Sequence, residues 1–523
     1  MEEDHEERRE IEAYLDQHHL QAFIGDAVND VVKERPKDPL VRLADALRSC
    51  SEASRQIQKV HGRQILNGEA LPALEVEIRT GQGSVYGSVS SGPFDGDREH
   101  YEGKGLLQAA STVDNILAEV LLGKDPTQQA KIDKLLAQDS SLPPNVISAA
   151  SIACCKAGAK QTLISVYDHI GVMCNNSEGG IPATGFSVIN GGRLSASSLW
   201  VQDIFVVPTG DMPTFSDRVL VASTVHRTLE VVAREAGQEL LQRGPRGGFC
   251  NGAGTFEYLM GCLVTSLDNA GFLGSVEIVV DVHASKLVPA VAEDEAPSDK
   301  EKNVSYDLTT FSPDKTALEL TTAQALLDIY LEWLEKFPIT AFIEPFAPAD
   351  IATSKELLIR GHQILQAKIG TLAGQSMEAP SGGAPTSEAQ VERLAPDNAQ
   401  GPSGEDSCLL RVIADESVLT PSQLVLVNEQ RGANAIVLNI RKISTLSECN
   451  VLACRANELG WALVVSITSE EELEGEFMAE LGVGLRAEQL LMGGLRSANT
   501  MAACHRLARV EEDGVQHVGG GRE

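Results

Sequence analysis

With 523 residues and 43% apolar content, the chain has the length of about three domains and enough apolar side chains to fill a full-sized core. Lys and Arg total 43 against 74 Asp and Glu, a formal charge of −31, which repels phosphate backbones and anionic lipid faces and excludes nucleic acid and membrane as expected partners. Ten cysteines without Cys-x-x-Cys spacing point to reduced, buried thiols rather than to disulfides or a zinc site.

Met1–Arg9 lacks the apolar core of a signal peptide, and no apolar run approaches the roughly 20 residues of a membrane span, so the expected location is cytoplasmic. Residues 10–48 then carry apolar side chains at helical spacing. Leu20, Phe23, Ile24, Ala27, Val28, Val31 and Val32 form one stripe, Pro36 breaks it, and Asp38-Pro39 restarts a helix as N-cap and first helical residue. From Ile57, alternating strands are predicted over 57–66, 74–80 and 84–89, with a turn at Gly81-Gln82-Gly83. Helical patterns follow at Leu106–Leu122, Lys131–Ala137 and Val146–Lys160. Beyond Ile181 strands alternate with helices, as a β/α barrel requires. The predicted barrel strands are Val201–Val207, taken as the first, then Val276–Val282, Ala341–Glu344, Leu409–Ile413, Ala435–Leu438, Leu463–Val465 and Gln489–Met492. Two insertions interrupt this pattern. Val291–Asn303 is charged and loop-like, and 368–406 is rich in Gly, Pro, Ser and Ala and is expected to be disordered.

Chemistry on such a barrel sits at the C-terminal strand ends. Three predicted ends carry carboxylates, Asp281 in IVVDVHAS, Glu344 in AFIEPF and Asp415 in RVIADES, the oxygen-rich set that a hard divalent cation needs. Glu416 offers a fourth carboxylate beside Asp415.

Residues 57–512 resemble the enolase family. The resemblance rests on these acids, on the turn Asn190-Gly191-Gly192, and on Tyr306-Asp307-Leu308 through Phe311-Ser312-Pro313-Asp314. The single acid before Pro345-Phe346 and the turn Gly493-Gly494-Leu495 look most like the divergent sperm-type branch. The implied fold class is α/β: an N-terminal helical docking hairpin (1–50), an α+β enolase cap domain (57–180), an enolase-type β/α (TIM-like) barrel (181–512) and a tail (513–523). The implied reaction is dehydration of 2-phosphoglycerate to phosphoenolpyruvate, with Mg²⁺ on Asp281, Glu344 and Asp415 and substrate contacts from Gln202, Asp203 and Ser469. None of the family's acid/base groups is retained at its position. Arg246 stands for an acid in GPRGGF, Asn439 for the lysine base in IVLNIRK, and Leu491 for a substrate-binding lysine in LLMGGLRS. Lys442, three residues past Asn439, lies beyond the strand end and reaches the site only by an unfamiliar backbone path. Most of the family's serine-bearing lid is missing from Ser90–Gly96.

The string YLDQHHLQAFIGDAVNDVVKERPKDPLVRLADAL resembles the dimerisation and docking segment of protein kinase A regulatory subunits. That likeness implies a homodimer whose groove takes an amphipathic helix of an anchoring protein, in a cilium or flagellum; the alternative is a hairpin packed on its own catalytic domain. Three functional readings stay open. They are a weak or inactive phosphopyruvate hydratase that takes a small phosphorylated substrate, an active one with relocated acid/base groups, and a structural or scaffold pseudoenzyme.

Overall fold

A computed structural model describes residues 13–518 apart from 16, 51, 91–100, 104, 177–178, 194, 196, 210–211, 237–241, 245, 251–253, 290–304, 312–319, 377–408 and 468–472. The predicted lid segment, the insertion at 291–303 and Ser469 therefore lie largely or wholly outside the described residues. The chain forms two compact units. One comprises the described residues to Leu66 with Ala70–His169 and Thr445–Ser447; the other comprises Asn67–Glu69, Ile170–Ser444 and Glu448 onward. No described helix is long and apolar enough to cross a membrane.

In the first unit, β1 (Lys59–Leu66), β2 (Pro72–Thr80) and β3 (Gly83–Ser90) pair antiparallel in sequence order. The turn between β2 and β3 needs Gly83, whose φ of 107° an L side chain rarely adopts. Helices follow over Gln129–Gln138 and Pro144–Thr162. Before the sheet, helices Leu20–Glu34 and Pro39–Cys50 form a hairpin. Asp38 caps the second by accepting from the Leu40 and Val41 N–H groups, both at 3.2 Å, as its position before Pro39 predicts. This hairpin belongs to the same compact unit as the sheet, and Gln82 Nε2 donates to the Asp45 carbonyl at 3.1 Å.

The second unit is built on β4 (Ala183–Asn190), β5 (Asp203–Pro208), the short pair β6 (Gln242–Arg243) and β7 (Phe249–Cys250), β8 (Val276–Asp281), the pair β9 (Ser305–Asp307) and β10 (Leu320–Thr322), then β11 (Ile339–Ile343), β12 (Arg411–Ala414), β13 (Ala435–Leu438), β14 (Ala462–Ile467) and β15 (Gln489–Met492). The eight strands β4, β5, β8 and β11–β15 close into a barrel through pairing of β15 with β4. Phe205, Val207, Val279, Ile343, Ile413, Val437, Val464 and Leu491 fill its interior as one apolar cluster.

Two sequence expectations need correction. The first barrel strand is β4, not the segment at 201–207, which is the second. β4 escaped detection because it is buried on both faces and so lacks the alternation that marks a half-exposed strand. In addition, the expected disordered stretch at 368–406 begins too early, since one helix runs Ile351–Ser376.

Topology decides which residues share the barrel mouth. β5 runs antiparallel to both β4 and β8. Its first residue, Asp203, therefore lies beside the last residues of its neighbours, in register with Asn190 and Asp281.

Candidate functional site

At this mouth Asp203 is fully buried. Its Oδ1 accepts from Ser187 Oγ and Asn190 Nδ2, each at 2.6 Å, and its Oδ2 lies 2.7 Å from Arg246 Nε. Both side chains are sealed from water, with 4% exposure for Arg246 and 0% for Asp203. Arg246 also donates from Nη2 to the Gln202 carbonyl at 2.5 Å. The loop carrying Arg246 reaches this depth because Asn190 grips it, accepting from the Gly248 N–H at 2.9 Å. A Cβ on Gly244 would lie 2.4 Å from Asn190 Oδ1, so only glycine permits the approach. Burial pushes Asp203 up to about 6 even though Arg246 opposes it. A guanidinium is not a proton donor in proteins, so Arg246 serves here as a fixed counter-ion.

On the other side of the mouth, the ends of β8, β11 and β12 bring Asp281, Glu344 and Asp415 to within one cluster, all buried. A residue that the sequence reading passed over, His283, stands among them. Its Nδ1 is 3.9 Å from Asp281 Oδ1 and 3.9 Å from Asp415 Oδ2, and its Nε2 donates to Glu416 Oε1 at 2.9 Å. The available signal was the spacing Asp-x-His just past a strand end. Both His283 and Glu344 hold positive φ, 52° and 44°, a conformation that costs non-glycine residues of order 1–3 kcal/mol and concentrates at functional sites. The Ser417 N–H donates to Glu344 Oε1 at 2.9 Å, and Ser285 Oγ donates to Glu416 Oε2 at 2.8 Å.

Lys442 joins the same cluster. Its Nζ lies 2.7 Å from Asp415 Oδ2 and 3.4 Å from Glu416 Oε1. The path is a single helical turn, Ile440–Ile443, that opens directly after β13. Asn439 starts it, its side chain accepting from the Arg441 N–H at 3.0 Å, so the residue at the expected base position is a helix cap. Burial works to lower the Lys442 pKa, but Asp415, bonded to it, and Glu416 and Glu344 outweigh burial and leave it raised. Glu344 is pushed up to about 8 by burial and by the negative charge of Asp415. Glu416 is held far below the carboxylate range, first by its bond from His283. Burial also raises Asp281, against the pull of His283.

Leu491 makes no polar contribution. It is fully buried in the barrel's apolar filling, paired in register with Gly185 of β4 and Ser466 of β14. Gln202 lines a small cavity with Gly192, Arg193, Arg246, His283 and Lys286, of about 40 Å³. Three of these side chains are cationic or guanidinium groups, which suits an anion. The volume holds waters, however, and falls well short of the ≈ 300 Å³ at which ligand pockets begin.

The magnesium ion implied by the family resemblance can be tested against these donors. Oδ1 of Asp281 and Oδ1 of Asp415 are buried without a hydrogen-bond partner, a costly state that a divalent cation would relieve. Asp281, Glu344 and Asp415 thus fit a divalent cation, whose positive charge would stabilise a developing oxyanion on a bound acid. His283 brings a nitrogen into that oxygen set.

Comparison with known proteins follows the same division. Residues 57–170 match the model described as "Enolase, N-terminal domain", and residues 179–370 and 405–519 match "Enolase, C-terminal TIM barrel domain". Among curated proteins, the chain is 28% identical over 483 residues to "Enolase" of Eimeria tenella, covering 87% of this chain and 95% of the relative. It is 28% identical over 477 residues to "Enolase" of Mastigamoeba balamuthi, with the same coverage. "Cytosolic enolase 3" of Arabidopsis thaliana is 24% identical over 532 residues, spanning 98% of each.

Proposed function

Because this chain belongs to the enolase family, we propose that it keeps the architecture of a phosphopyruvate hydratase while its dehydration chemistry is weak or absent. The observation that carries this reading is the buried Arg246–Asp203 ion pair at 2.7 Å, formed where the resemblance places an acid and a substrate contact. A guanidinium locked on a carboxylate can neither protonate a leaving hydroxide nor move to admit a donor. Leu491, buried in the apolar filling of the barrel, and Asn439, capping a helical turn, stand where the resemblance places two lysines. Gln202 and Ser469 remain the proposed substrate side, with Asp203 acting there through its hold on Arg246, and Asp281, Glu344 and Asp415 the proposed cation side. A coupled assay for phosphoenolpyruvate formation by the purified protein tests the reading directly. Turnover comparable to an ordinary enolase overturns it.

A second reading, a scaffold or docking role, is favoured by the N-terminal hairpin. Phe23, Ile24, Val28 and Val32 are 39%, 49%, 41% and 64% exposed on one helix, and Leu40 and Val41 are 75% and 58% exposed on the next. Apolar side chains clustered at helical spacing in water mark an association face. The proposed occupants are a second copy of the chain and then an amphipathic helix of an anchoring protein, in keeping with a sperm-type, ciliary or flagellar enolase. Ile24→Glu in the full-length protein is expected to shift sedimentation from dimer to monomer while leaving the barrel's thermal transition in place. An unchanged dimer would mean that the self-association lies elsewhere, and a monomeric wild type would remove the docking reading.

A further inference from the structure

We propose that Cys174 and Cys454 form a reversible oxidation site, at which peroxide closes a disulfide that staples the outside of the barrel. The inference rests on no reading of the barrel mouth and is indifferent to whether the protein turns over substrate.

The eight described cysteines are free, as the sequence leads one to expect, but they are not alike. Six are buried, Cys174 is half-buried and Cys454 is exposed. Exposure singles out Cys454, because a thiol must reach solvent to meet an oxidant. A disulfide also needs a second sulfur within reach, and the local structure supplies it. Asn450 and Cys454 stand one turn apart on the helix Leu446–Glu458 and so share a face. Cys454 Sγ donates to Asn450 Oδ1 at 3.5 Å, and Asn450 Nδ2 donates to the Met173 carbonyl at 2.9 Å. That carbonyl belongs to the peptide bond joining Met173 to Cys174. One amide side chain therefore spans the distance from one thiol to the backbone of the other, and all four residues belong to the second unit.

Cys174 is held in place by the way its helix ends. The Cys174 N–H is shared between the Ile170 and Gly171 carbonyls at 3.1 and 3.0 Å, and the Asn176 N–H returns to Gly171 at 2.9 Å. Asn175 makes the turn with a φ of 56°, the left-handed conformation that closes many helices. The two sulfurs feel one another. Burial first, and then the negative charge of Cys454, push the Cys174 thiol up to about 12. Cys174 thus stays protonated at neutral pH, and the exposed Cys454 is the one to react first. Val172 and Val451, their near neighbours in sequence, are 68% and 56% exposed, so the surface here is open to a small oxidant.

The chemistry closes in two steps. The Cys454 thiolate attacks one oxygen of hydrogen peroxide; an S–O bond forms, the O–O bond breaks, and the displaced hydroxide leaves as water with the thiol's proton. Sulfur has lost two electrons to the peroxide and stands as a neutral sulfenic acid, which removes the charge that opposed ionisation of Cys174. The Cys174 sulfur then attacks the sulfenic sulfur. The S–S bond forms, the S–O bond breaks, and the hydroxide takes the Cys174 proton and leaves as a second water. Two thiols and one peroxide give one disulfide and two waters, and a dithiol reductant reverses the change. Between the two residues lie β4, β5, β8, β11, β12 and β13. A bridge that closes so long a loop restricts the unfolded chain strongly and should stabilise the fold.

The test exposes reduced full-length protein to a small excess of hydrogen peroxide, blocks the remaining thiols and maps disulfides by mass spectrometry of the digest. The expected product is a peptide pair joined through Cys174 and Cys454 and separated again by dithiothreitol. The bridged protein should melt several degrees above the reduced one, and Cys454→Ser should lose both the bridge and the shift. Cys174→Ser should leave Cys454 as a sulfenic acid that dimedone captures. If that variant does not fold, dimedone present during brief oxidation of the wild type should label Cys454 and prevent the bridge. The proposal is overturned if Cys454 does not react, or if it pairs with Cys50, Cys408 or a second copy of the chain. Oxidation of Cys454 to sulfinic acid while Cys174 stays free overturns it too, as does a bridged form that melts no higher than the reduced one.

Discussion

Replacing Arg246 by leucine is expected to destabilise the barrel by about 3–5 kcal/mol at neutral pH, the usual cost of stripping the partner from a fully buried charge. The cause lies in what remains. Asp203 keeps its bonds from Ser187 and Asn190 but loses the guanidinium that stands 2.7 Å from its Oδ2. Burial already holds this carboxyl up to about 6 with Arg246 present, so without it the pKa must climb further. The sign of the pH dependence follows. An acid whose folded pKa lies above its unfolded value binds more protons when folded, so stability falls as pH rises through that interval. In the variant the interval extends upward, and the deficit relative to wild type should be largest in mild alkali, shrink as pH falls toward about 6 and level off below it. Thermal or urea unfolding of the barrel across this range reads the effect directly. The double variant Arg246→Leu/Asp203→Asn keeps an acceptor for Ser187 and Asn190 while removing the stranded charge, and should recover most of the loss. If the single variant is as stable as wild type at every pH, the ion pair is not what holds the Gly244–Phe249 loop in the mouth.

The fold was legible in the sequence wherever a local pattern had only one reading. Seven of the barrel strands carry apolar runs bounded by turns, and the acids at the ends of β8, β11 and β12 follow from placing those ends. The strand β4 was not legible as such, because a strand buried on both faces shows no apolar/polar alternation for periodicity to assign. The position of Asp203 was legible only as a residue, not as a site. Its place at the mouth depends on β5 running against its neighbours, and strand direction is a tertiary fact. His283 was missed, and the path that carries Lys442 to the cluster was not legible, for a shared reason. Each lies just outside a regular strand, in a single turn or at a positive φ, where the direction of a side chain is set by a cap or by left-handed backbone that spacing alone does not disclose. Asn439 was read as a lost base when its local chemistry, an Asn opening a short helix, was the signal that Lys442 is carried back over the strand end.

Turnover of 2-phosphoglycerate by the wild-type protein is expected to fall many orders of magnitude below that of an ordinary enolase. A positioned general base is worth about 10²–10⁴-fold by itself, and the proposed reading takes away the acid opposite it and a substrate-binding cation as well. Lys442 stands near enough to the acid cluster to invite the idea of a moved base. Its charge argues against that role, because a base must be neutral to accept a proton, and Asp415, Glu416 and Glu344 together hold Lys442 in its charged form. Restoring a lysine by Asn439→Lys should bring little gain, since groups that act as a unit do not return one at a time. That substitution also deletes the cap on the turn carrying Lys442, at a cost of about 0.5–2 kcal/mol, and sets a second ammonium near the first. Leu491→Lys would bury an amine in the apolar filling of the barrel, so the two changes together should lower the thermal midpoint before they raise the rate. Robust phosphoenolpyruvate formation by the unmodified protein would refute all of this. Its abolition by Lys442→Ala, with a pH profile that loses its basic limb, would then identify Lys442 as the base and place the chemistry on the turn that Asn439 begins.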